Sequence, residues 1–469
     1  MNYPLHNKTA KRLLSPALCS LFILGTAHVQ AADPEVEALK QQLSEQQQEI
    51  AALRSMVEQL VQQAQGDGPV LQESSISGSP QAAVAAIQPS APSRSFNWAR
   101  DAVGDARSDV VEQGGFPAAI KIKGRDDIPV DLAISGFVKT IAFWDNNSER
   151  DDEYFLPALF GIGDENRDGQ FKTSADLTRL YFDARSDVGP GNIRAYVEWE
   201  FRNDFNLRHA YADWSGEYGG LKAGQYWSNF MDLGALPESN IEPLVSGAAF
   251  ARQAQVRYTS PTMSDVFFML SVEDPSSNDV ITESTPLRSR PDFIGTMQWN
   301  IADTAHIQLG GLWRDIEVRD DELADTSTDG WGLRTAGAWR ITPNNKILGG
   351  VTYGDGIGRY LLGLDPVSGG YVGESGELRS RKALGGFASY QYKYNPHLRF
   401  NMTAGYAEAD DDVDLPGDQF KSTSYFATNF FYQISPFLVV STEYNWGKRE
   451  NLDGSDLDDH RITLGLQLY

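Results

Sequence analysis

The chain has 469 residues, with 64 acidic and 40 basic side chains and a formal net charge of −24, which argues against nucleic acid as a partner. Aromatic residues (11%) and 43 glycines suit strands and turns better than helices. No stretch beyond the N-terminal segment approaches the roughly 18 apolar residues of a spanning helix, which leaves two classes open, a large secreted β-protein and an outer-membrane barrel.

The first residues have the pattern of a secretory signal peptide. Lys8, Lys11 and Arg12 precede the apolar run LLSPALCSLFILGTA, and the small residues of VQAAD follow it. This order of basic, apolar and small residues predicts a signal peptide over residues 1–31 of an exported protein. Cys19 is the chain's one cysteine and lies inside that peptide, so we expect the exported protein to be without disulfides.

A heptad pattern follows and predicts a short α-helical coiled coil over residues 33–65. Steps of three and four residues alternate along one seam, which comprises Val36, Leu39, Leu43, Gln46, Ile50, Leu53, Val57, Leu60 and Ala64. The β-branched residues at one seam position favour two helices, although Gln46 interrupts the pattern. Residues 66–130 are predicted to be a low-complexity linker and an irregular lead-in, because the first part is rich in Gly, Pro, Ser and Ala.

From residue 131 to residue 469 the pattern predicts an all-β domain of about 16 strands. The strand-like segments lie near 132–144, 173–186, 191–202, 205–215, 218–226, 251–259, 265–273, 290–300, 305–318, 330–341, 345–354, 381–394, 398–409, 422–434, 437–448 and 459–469.

The connections between these segments alternate between short turns and mostly longer loops. Short turns include DVGPG, SPTMS and TPNN, whereas the longer connections include 145–172, 227–250, 274–289, 319–329 and 355–380. Neighbouring strands that run up and down, with long loops at one end, are typical of a transmembrane antiparallel β-barrel. A sandwich or a propeller would not sort its connections by length in this way.

The strands also alternate in polarity. In the last segment Ile462, Leu464, Leu466 and Leu468 are separated by small or polar residues. Such alternation predicts an apolar face towards lipid and a polar face towards the lumen. The last strand is expected to pair with the first, because an open sheet edge cannot be satisfied in hydrocarbon.

The chain resembles the DcaP-like outer-membrane porins of Gram-negative bacteria. The resemblance rests on GGFPAAIKIKG before AISGFVK, on LRHAYADW, LKAGQYWSNF and RQAQVRYTS, and on STEYNWGKRE before RITLGLQLY. It implies a passive, water-filled channel for small anionic solutes, dicarboxylates among them. It also implies a homotrimer in the outer membrane, among lipid and lipopolysaccharide, with the coiled coil in the periplasm.

Two groups of residues are candidates for the pore. Similar porins fold the connection after the fifth strand inward, and here that connection, 227–250, contains Asp232, Glu238 and Glu242. Basic residues on the lumen phase of the strands are Arg179, Arg185, Arg194, Lys222, Arg257, Arg334, Arg381, Arg399 and Arg461. Guanidinium groups suit carboxylates because their planar fork binds both oxygens, so the set predicts a preference for anions.

Other interpretations stay open. The arginines could instead neutralise Asp183, Glu198, Glu200 and Glu443 on the same wall. A general or phosphate-preferring porin is one alternative function, and a structural protein that tethers the envelope, with the barrel as its anchor, is another.

The sequence predicts no enzyme, cofactor or metal centre. DENRDGQFKTSA begins like a calcium loop, but its twelfth residue is Ala175 rather than Glu. The histidines beyond the signal peptide and linker, His209, His306, His397 and His460, have no metal-ligand spacing, and there is no nucleophile-elbow motif.

Overall fold

The computed structural model describes residues 120–124, 128–147, 153–163, 169–202, 205–275, 280–282, 285–287, 289–319, 326–364, 368–373, 376–411 and 413–469. The predicted signal peptide (1–31), the coiled coil (33–65) and nearly all of the segment 66–130 lie outside these residues and stay predictions. No helix among the described residues is both long and apolar enough to cross a membrane.

The described residues form strands from one end to the other. In chain order these are β1 (Ile120–Lys123), β2 (Pro129–Asp145), β3 (Gln170–Ser174), β4 (Arg179–Val188), β5 (Gly191–Glu200), β6 (Asn206–Gly216), β7 (Gly219–Trp227), β8 (Arg252–Thr259), β9 (Val266–Glu273), β10 (Val280–Ile281), β11 (Thr285–Leu287), β12 (Asp292–Ile301), β13 (Ala305–Arg319), β14 (Thr326–Thr342), β15 (Asn345–Asp355), β16 (Gly370–Val372), β17 (Leu378–Ser380), β18 (Lys382–Lys393), β19 (Leu398–Ala409), β20 (Phe420–Ser435), β21 (Leu438–Asn451) and β22 (Asp456–Leu468). Short 3₁₀ helices lie at Pro157–Leu159, Leu233–Ala235 and Gly358–Tyr360.

Sixteen of these strands close into one antiparallel ring, which confirms the predicted barrel. Each strand of the ring pairs with the next, from β4 through β9, β12 to β15 and β18 to β22. Strand β2 closes the ring, because its residues 131–137 pair with β4 and its residues 138–145 pair with β22. Strands β3 and β4 together occupy the second place in the ring, where one continuous segment was predicted.

The two faces of the barrel are opposite in polarity to those of a water-soluble protein. In β22, Leu464 and its apolar neighbours at every second position are between 46% and 58% exposed on the outside. Arg461, Thr463 and Gln467, between them in sequence, are buried on the inside. An apolar outer face with a polar interior is the arrangement that a lipid surround requires.

A buried ion pair joins the first and last strands of the ring. Asp145 of β2 lies directly opposite Arg461 of β22, and the guanidinium donates to both carboxylate oxygens at 2.5 and 2.8 Å. Both side chains are buried, at 0% and 2% exposure. The two contacts make a bidentate pair of the kind that fixes the relative position of two elements.

Three connections from the long-loop end turn into the barrel and fill part of it. They contain the 3₁₀ helices Pro157–Leu159, Leu233–Ala235 and Gly358–Tyr360. An apolar cluster joins the three connections to inward residues of the wall; its members include Ala158, Phe230, Ala249, Ile357, Tyr360 and Leu361. The interior is therefore a packed core on one side and a polar space on the other.

The outward orientation of Leu464 can be tested by a substitution. Leu464→Lys places an ammonium group on the lipid face, so we expect folding into lipid vesicles to lose about 2–4 kcal/mol. Gln467→Lys, on the inward face of the same strand, is the matched control and is expected to cost much less. Denaturant titration in vesicles measures both, and equal losses would contradict the assigned faces.

Candidate functional site

The connection between β7 and β8, residues 228–251, is here called the inward loop. Its first residues follow the wall from β9 to β13. The Asn229 side chain donates to the carbonyl oxygens of Met269 and Ile294 at 3.3 and 3.4 Å. Asp232 then contacts His306 of β13, whose Nε2 atom lies 2.9 and 3.1 Å from the two carboxylate oxygens.

The middle of the inward loop crosses to the last strands of the barrel. Arg399 of β19 donates to both carboxylate oxygens of Glu238, at 2.6 and 2.5 Å. The backbone N–H of Asn240 donates to Glu443 of β21 at 2.9 Å. The loop is therefore bonded to strands on opposite parts of the ring, which fixes its course through the barrel.

Glu242 attaches the same loop to the first strands. Its carboxylate accepts hydrogen bonds from Arg179 of β4, from Arg208 of β6 and from the hydroxyl of Tyr154 in another inward connection. Burial, and then the charge of Glu242, raise the pKa of Tyr154 above its usual value, so this phenol stays a neutral donor. Arg208 is 1% exposed and also contacts Glu198 and Glu200 at 3.0 and 2.5 Å.

The end of the inward loop is pressed against β18 and β19. Gly247 has a φ of +86°, and a Cβ atom there would lie 2.2 Å from the carbonyl oxygen of Tyr406 and 2.4 Å from the backbone of Gly386. No other residue type fits this position without movement of the wall. Its N–H donates to Leu362 at 2.7 Å, which joins the loop to the connection that contains the 3₁₀ helix Gly358–Tyr360.

A cavity of about 90 Å³ remains between the inward loop and the wall formed by β4 to β7. The loop contributes mainly apolar side chains, whereas the wall contributes aromatic and charged ones. The lining residues are Arg179, Tyr196, Glu198, Arg208, His209, Tyr211, Tyr226 and Trp227 on the wall side, and Leu233, Leu236, Pro237, Glu238, Ser239, Glu242, Pro243 and Phe250 on the loop. This space has room for several water molecules.

Four tyrosines on consecutive strands form a row along this wall, called the tyrosine row. They are Tyr181, Tyr196, Tyr211 and Tyr226, with successive ring centroids 5.6, 5.4 and 5.0 Å apart. Distances in this range allow favourable aromatic contacts. The row gives the wall a rigid surface between the inward loop and the short-turn end of the barrel.

Four cations form a second row on the short-turn side of the tyrosines, called the basic row. Arg185 lies opposite Arg194, and Lys222 lies opposite Arg257, with Asp213 between the two pairs. The cations also stack on the tyrosine row: the Arg194 guanidinium lies 4.9 Å from the Tyr196 ring centroid, and the Lys222 ammonium lies 3.6 Å from that of Tyr211. Such cation–π contacts hold charged groups in place while the surroundings are partly desolvated.

Acidic side chains offset part of the charge of the basic row. Asp183 accepts from Arg185 at 2.6 Å and from Arg194 at 2.9 Å, and Asp213 accepts from Lys222 at 3.2 Å. Arg257 contacts no carboxylate within the described part of the chain; its Nε donates to Gln255 at 2.8 Å and its Nη2 to a backbone carbonyl. Asp131 of β2 lies directly opposite Arg185 as a third carboxylate. Four cations against three carboxylates leave the row with one net positive charge.

The remaining predicted basic residues lie in other contacts. Arg179 and Arg399 hold Glu242 and Glu238 of the inward loop, and Arg461 holds Asp145. Arg381 is buried and donates to the carbonyl oxygens of Asp410 and Phe420 at 3.0 and 2.8 Å. Arg334 of β14 donates to Gln308, and its Nε and Nη1 atoms are buried without a hydrogen-bond partner. The structure thus brings Arg185, Arg194, Lys222 and Arg257 into one row and distributes the others around the wall.

Arg208 is central to the site and is missing from the predicted set. By simple alternation along β6, Arg208 would lie on the same face as Ala210 and Ala212, and this is the outward face. The register shifts between Glu198 and Trp199 of the neighbouring strand, and this bulge turns both Arg208 and His209 inward. No signal in the sequence marks the bulge, whereas the spacing of the four tyrosines could have indicated their row.

The described residues contain no group of three or more His, Cys, Asp or Glu side chains that could hold a metal ion.

Comparisons with known proteins place this geometry in a family. No curated protein matches the sequence. The crystal structure of the outer membrane channel DcaP of Acinetobacter baumannii is similar, with 22% identity, a TM-score of 0.66, and coverage of 75% of this chain and 99% of that one. The anion-selective porin from Comamonas acidovorans has 10% identity, a TM-score of 0.50, and coverage of 72% and 99%. These likenesses show the same barrel fold.

The sequence itself establishes the membership. A family model described as the porin subfamily matches residues 160–463, which is more than half of the chain. Together with a closed barrel that is apolar outside and polar inside, this match shows that the chain belongs to the porin subfamily and is an outer-membrane channel.

Proposed function

We propose that this channel is passive and water-filled and prefers small anions such as dicarboxylates. The observation that carries the proposal is the basic row beside the cavity. Like charges directly opposite each other destabilise a sheet, and the row contains two such pairs, Arg185 with Arg194 and Lys222 with Arg257. Asp183 and Asp213 offset part of this repulsion, and the positive charge that remains supports contact with anions.

The chemistry of the row suits carboxylates. A guanidinium group presents two parallel N–H donors and keeps its charge when water is partly removed. Arg257 is the member with the greatest capacity for a ligand, because its contacts are to an amide and a carbonyl. A solute with two carboxylates could contact Arg257 and Lys222 together, since these residues are direct neighbours across β7 and β8.

The net charge of −24 does not oppose this proposal. Screening at physiological ionic strength limits the reach of charges in the outer loops to roughly 8–10 Å. Selectivity is set where the passage is narrowest and its wall excludes water, so the charges nearest the cavity decide it.

One observation favours a general or cation-tolerant porin instead. Glu198, Glu238 and Glu242 line the same cavity. Each contacts an arginine, with Arg179 and Arg208 shared by Glu198 and Glu242, and Arg399 bound to Glu238. Arg208 also contacts Glu200, so two arginines meet three carboxylates through these contacts, and one negative charge remains beside the net positive basic row.

Removal of two cations from the row tests the proposal. An Arg194→Gln, Arg257→Gln variant keeps side-chain length and some hydrogen bonding, but it loses two charges and the bidentate ionic contact. We expect the anion-to-cation permeability ratio to fall by about 3-fold or more and dicarboxylate flux to decrease, because local anion concentration follows the wall's charge. Reversal potentials in planar bilayers with asymmetric salt measure the ratio.

Lys421→Gln with Lys448→Gln is the matched control, because it also removes two cations. These lysines pair with Asp411 and Asp456 at the long-loop ends of β20 and β21, away from the row. The control is expected to leave the reversal potential unchanged. A wild-type channel that prefers cations would refute the proposed function. A reversal potential that changes with phosphate but not with dicarboxylates would indicate a phosphate-preferring porin.

For assembly we propose a homotrimer in which the barrel walls supply most of the association and the segment 33–65 adds to it from the periplasm. About four heptads, one of them with Gln46 in the seam, give modest stability alone. Deletion of residues 33–65 is therefore expected to leave heat-resistant trimers in gel electrophoresis. Monomers after this deletion would show that the coiled coil is essential.

A further inference from the structure

Three charged contacts hold the inward loop, and one of them differs in chemistry from the others. Glu238 and Glu242 are held by arginines, which stay charged at every pH in the physiological range. Asp232 is held by His306. One ring nitrogen, Nε2, makes this contact, whereas Arg399 contacts Glu238 through two nitrogens, so the Asp232 contact has the fewest donors from the wall.

The His306 ring contacts the first 3₁₀ helix of the loop directly. Asp232 caps the helix Leu233–Ala235, since its carboxylate accepts from the N–H of Gly234 at 3.0 Å. A Cβ atom on Gly234 would lie 2.7 Å from Cε1 of His306, so the ring and the helix are in close contact. The position of the helix relative to β13 is therefore set by the imidazole.

The residues that follow Asp232 form one side of the cavity. Leu233, Leu236 and Pro237 face the wall that carries Tyr211 and Tyr226. A shift of the helix at Asp232 moves these side chains towards or away from the tyrosine row. The width of the passage thus depends on a contact that lies outside its lining.

From this geometry we propose that His306 is a positioning residue: it holds Asp232 and thereby fixes the width of the opening between the inward loop and the tyrosine row. This proposal rests on the proposed function in one respect, because both take the cavity to be the route of the solute. It concerns the size of the opening and not the sign of the ion that passes.

The charged groups that act on Asp232 are His306 and, on β14, Arg334. Burial raises the pKa of Asp232, but the hydrogen bond and charge of His306, followed by Arg334, outweigh it and hold that pKa below its usual value. Asp232 is therefore an ionised acceptor, which strengthens its hydrogen bond with the imidazole.

Arg334 is a second partner within reach of the same charge. Its Nε and Nη1 atoms are buried without a hydrogen-bond partner among the described residues, and its guanidinium lies 5.9 Å from the ring centroid of Phe230, two residues before Asp232. In a variant without the imidazole, Arg334 is the cation that remains for Asp232. The full effect of losing the contact therefore requires a double variant, His306→Leu with Arg334→Gln.

Single-channel recordings of the full protein in planar bilayers test the proposal. His306→Gln keeps a hydrogen-bonding group for Asp232, so it is expected to retain the wild-type conductance and the wild-type exclusion of polyethylene glycols. His306→Leu is expected to raise conductance by about 1.5-fold and to admit larger uncharged polyethylene glycols, and the double variant to do so further.

His397→Leu is the matched control, since His397 lies in a short turn, where its Nδ1 contacts the carbonyl of Gln433 at 3.1 Å. It is expected to keep the wild-type conductance and polymer exclusion. Wild-type values in the double variant would overturn the proposal, and so would a conductance of His306→Gln as high as that of His306→Leu. The outcome is independent of ion preference, which reversal potentials report, so anion selectivity can fail while the role of His306 stands. Heat-modified mobility on gels verifies that each variant is folded.

Discussion

The pairing of β2 with β22 is the contact on which the rest of the structure depends. In hydrocarbon no water can hydrogen-bond to the backbone groups of an open sheet edge, so the last strand of a membrane sheet must pair with the first. Eight residues of β2, from Val138 to Asp145, pair with Leu468 to Arg461 of β22 and remove the edge. Once the ring is closed, every strand has one face to lipid and one to the interior, and the alternation of apolar and polar residues follows from that.

The interior then divides into two parts with different chemistry. Against β12, β13 and β18 to β20 the inward connections pack through apolar side chains such as Phe230 and Tyr360. On the side of β4 to β8 the wall is aromatic and charged, and the cavity lies against it. The proposed route of the solute past the basic row therefore depends on the apolar packing of the other side as well as on the residues of the row.

Periodicity in the sequence predicts the ring well, because lipid on one side and water on the other impose period 2 on every strand. The interior is harder to predict. Arg208 is turned inward by a bulge. A bulge shifts the inside–outside alternation of a strand by one residue, so alternation alone assigns Arg208 to the wrong face. Ion pairs such as Arg399 with Glu238 join residues far apart in sequence, so the basic residues could be placed on the inner face but not assigned partners.

The resemblance to known porins indicated that the connection after β7 folds inward, and the structure adds two more connections inside the barrel. No period or motif predicts that these two fold inward, although each contains a short apolar run, YFLPALFGI at 154–162 and YLLGL at 360–364. Their burial results from packing on the inward loop, through contacts such as Phe250 N–H to the carbonyl of Tyr360 at 2.8 Å. A tertiary contact of this kind has no local signal.

The course of the inward loop also bears on how the barrel resists opening. Asn240 contacts Glu443 of β21 and the carbonyl of Thr463 in β22, and two residues later Glu242 is bound by Arg179 of β4. The loop therefore bridges the junction of β2 and β22 from within, between strands on either side of it. Separation of β2 from β22 would have to break this bridge together with the strand pairs. The inward loop therefore also slows unfolding of the barrel.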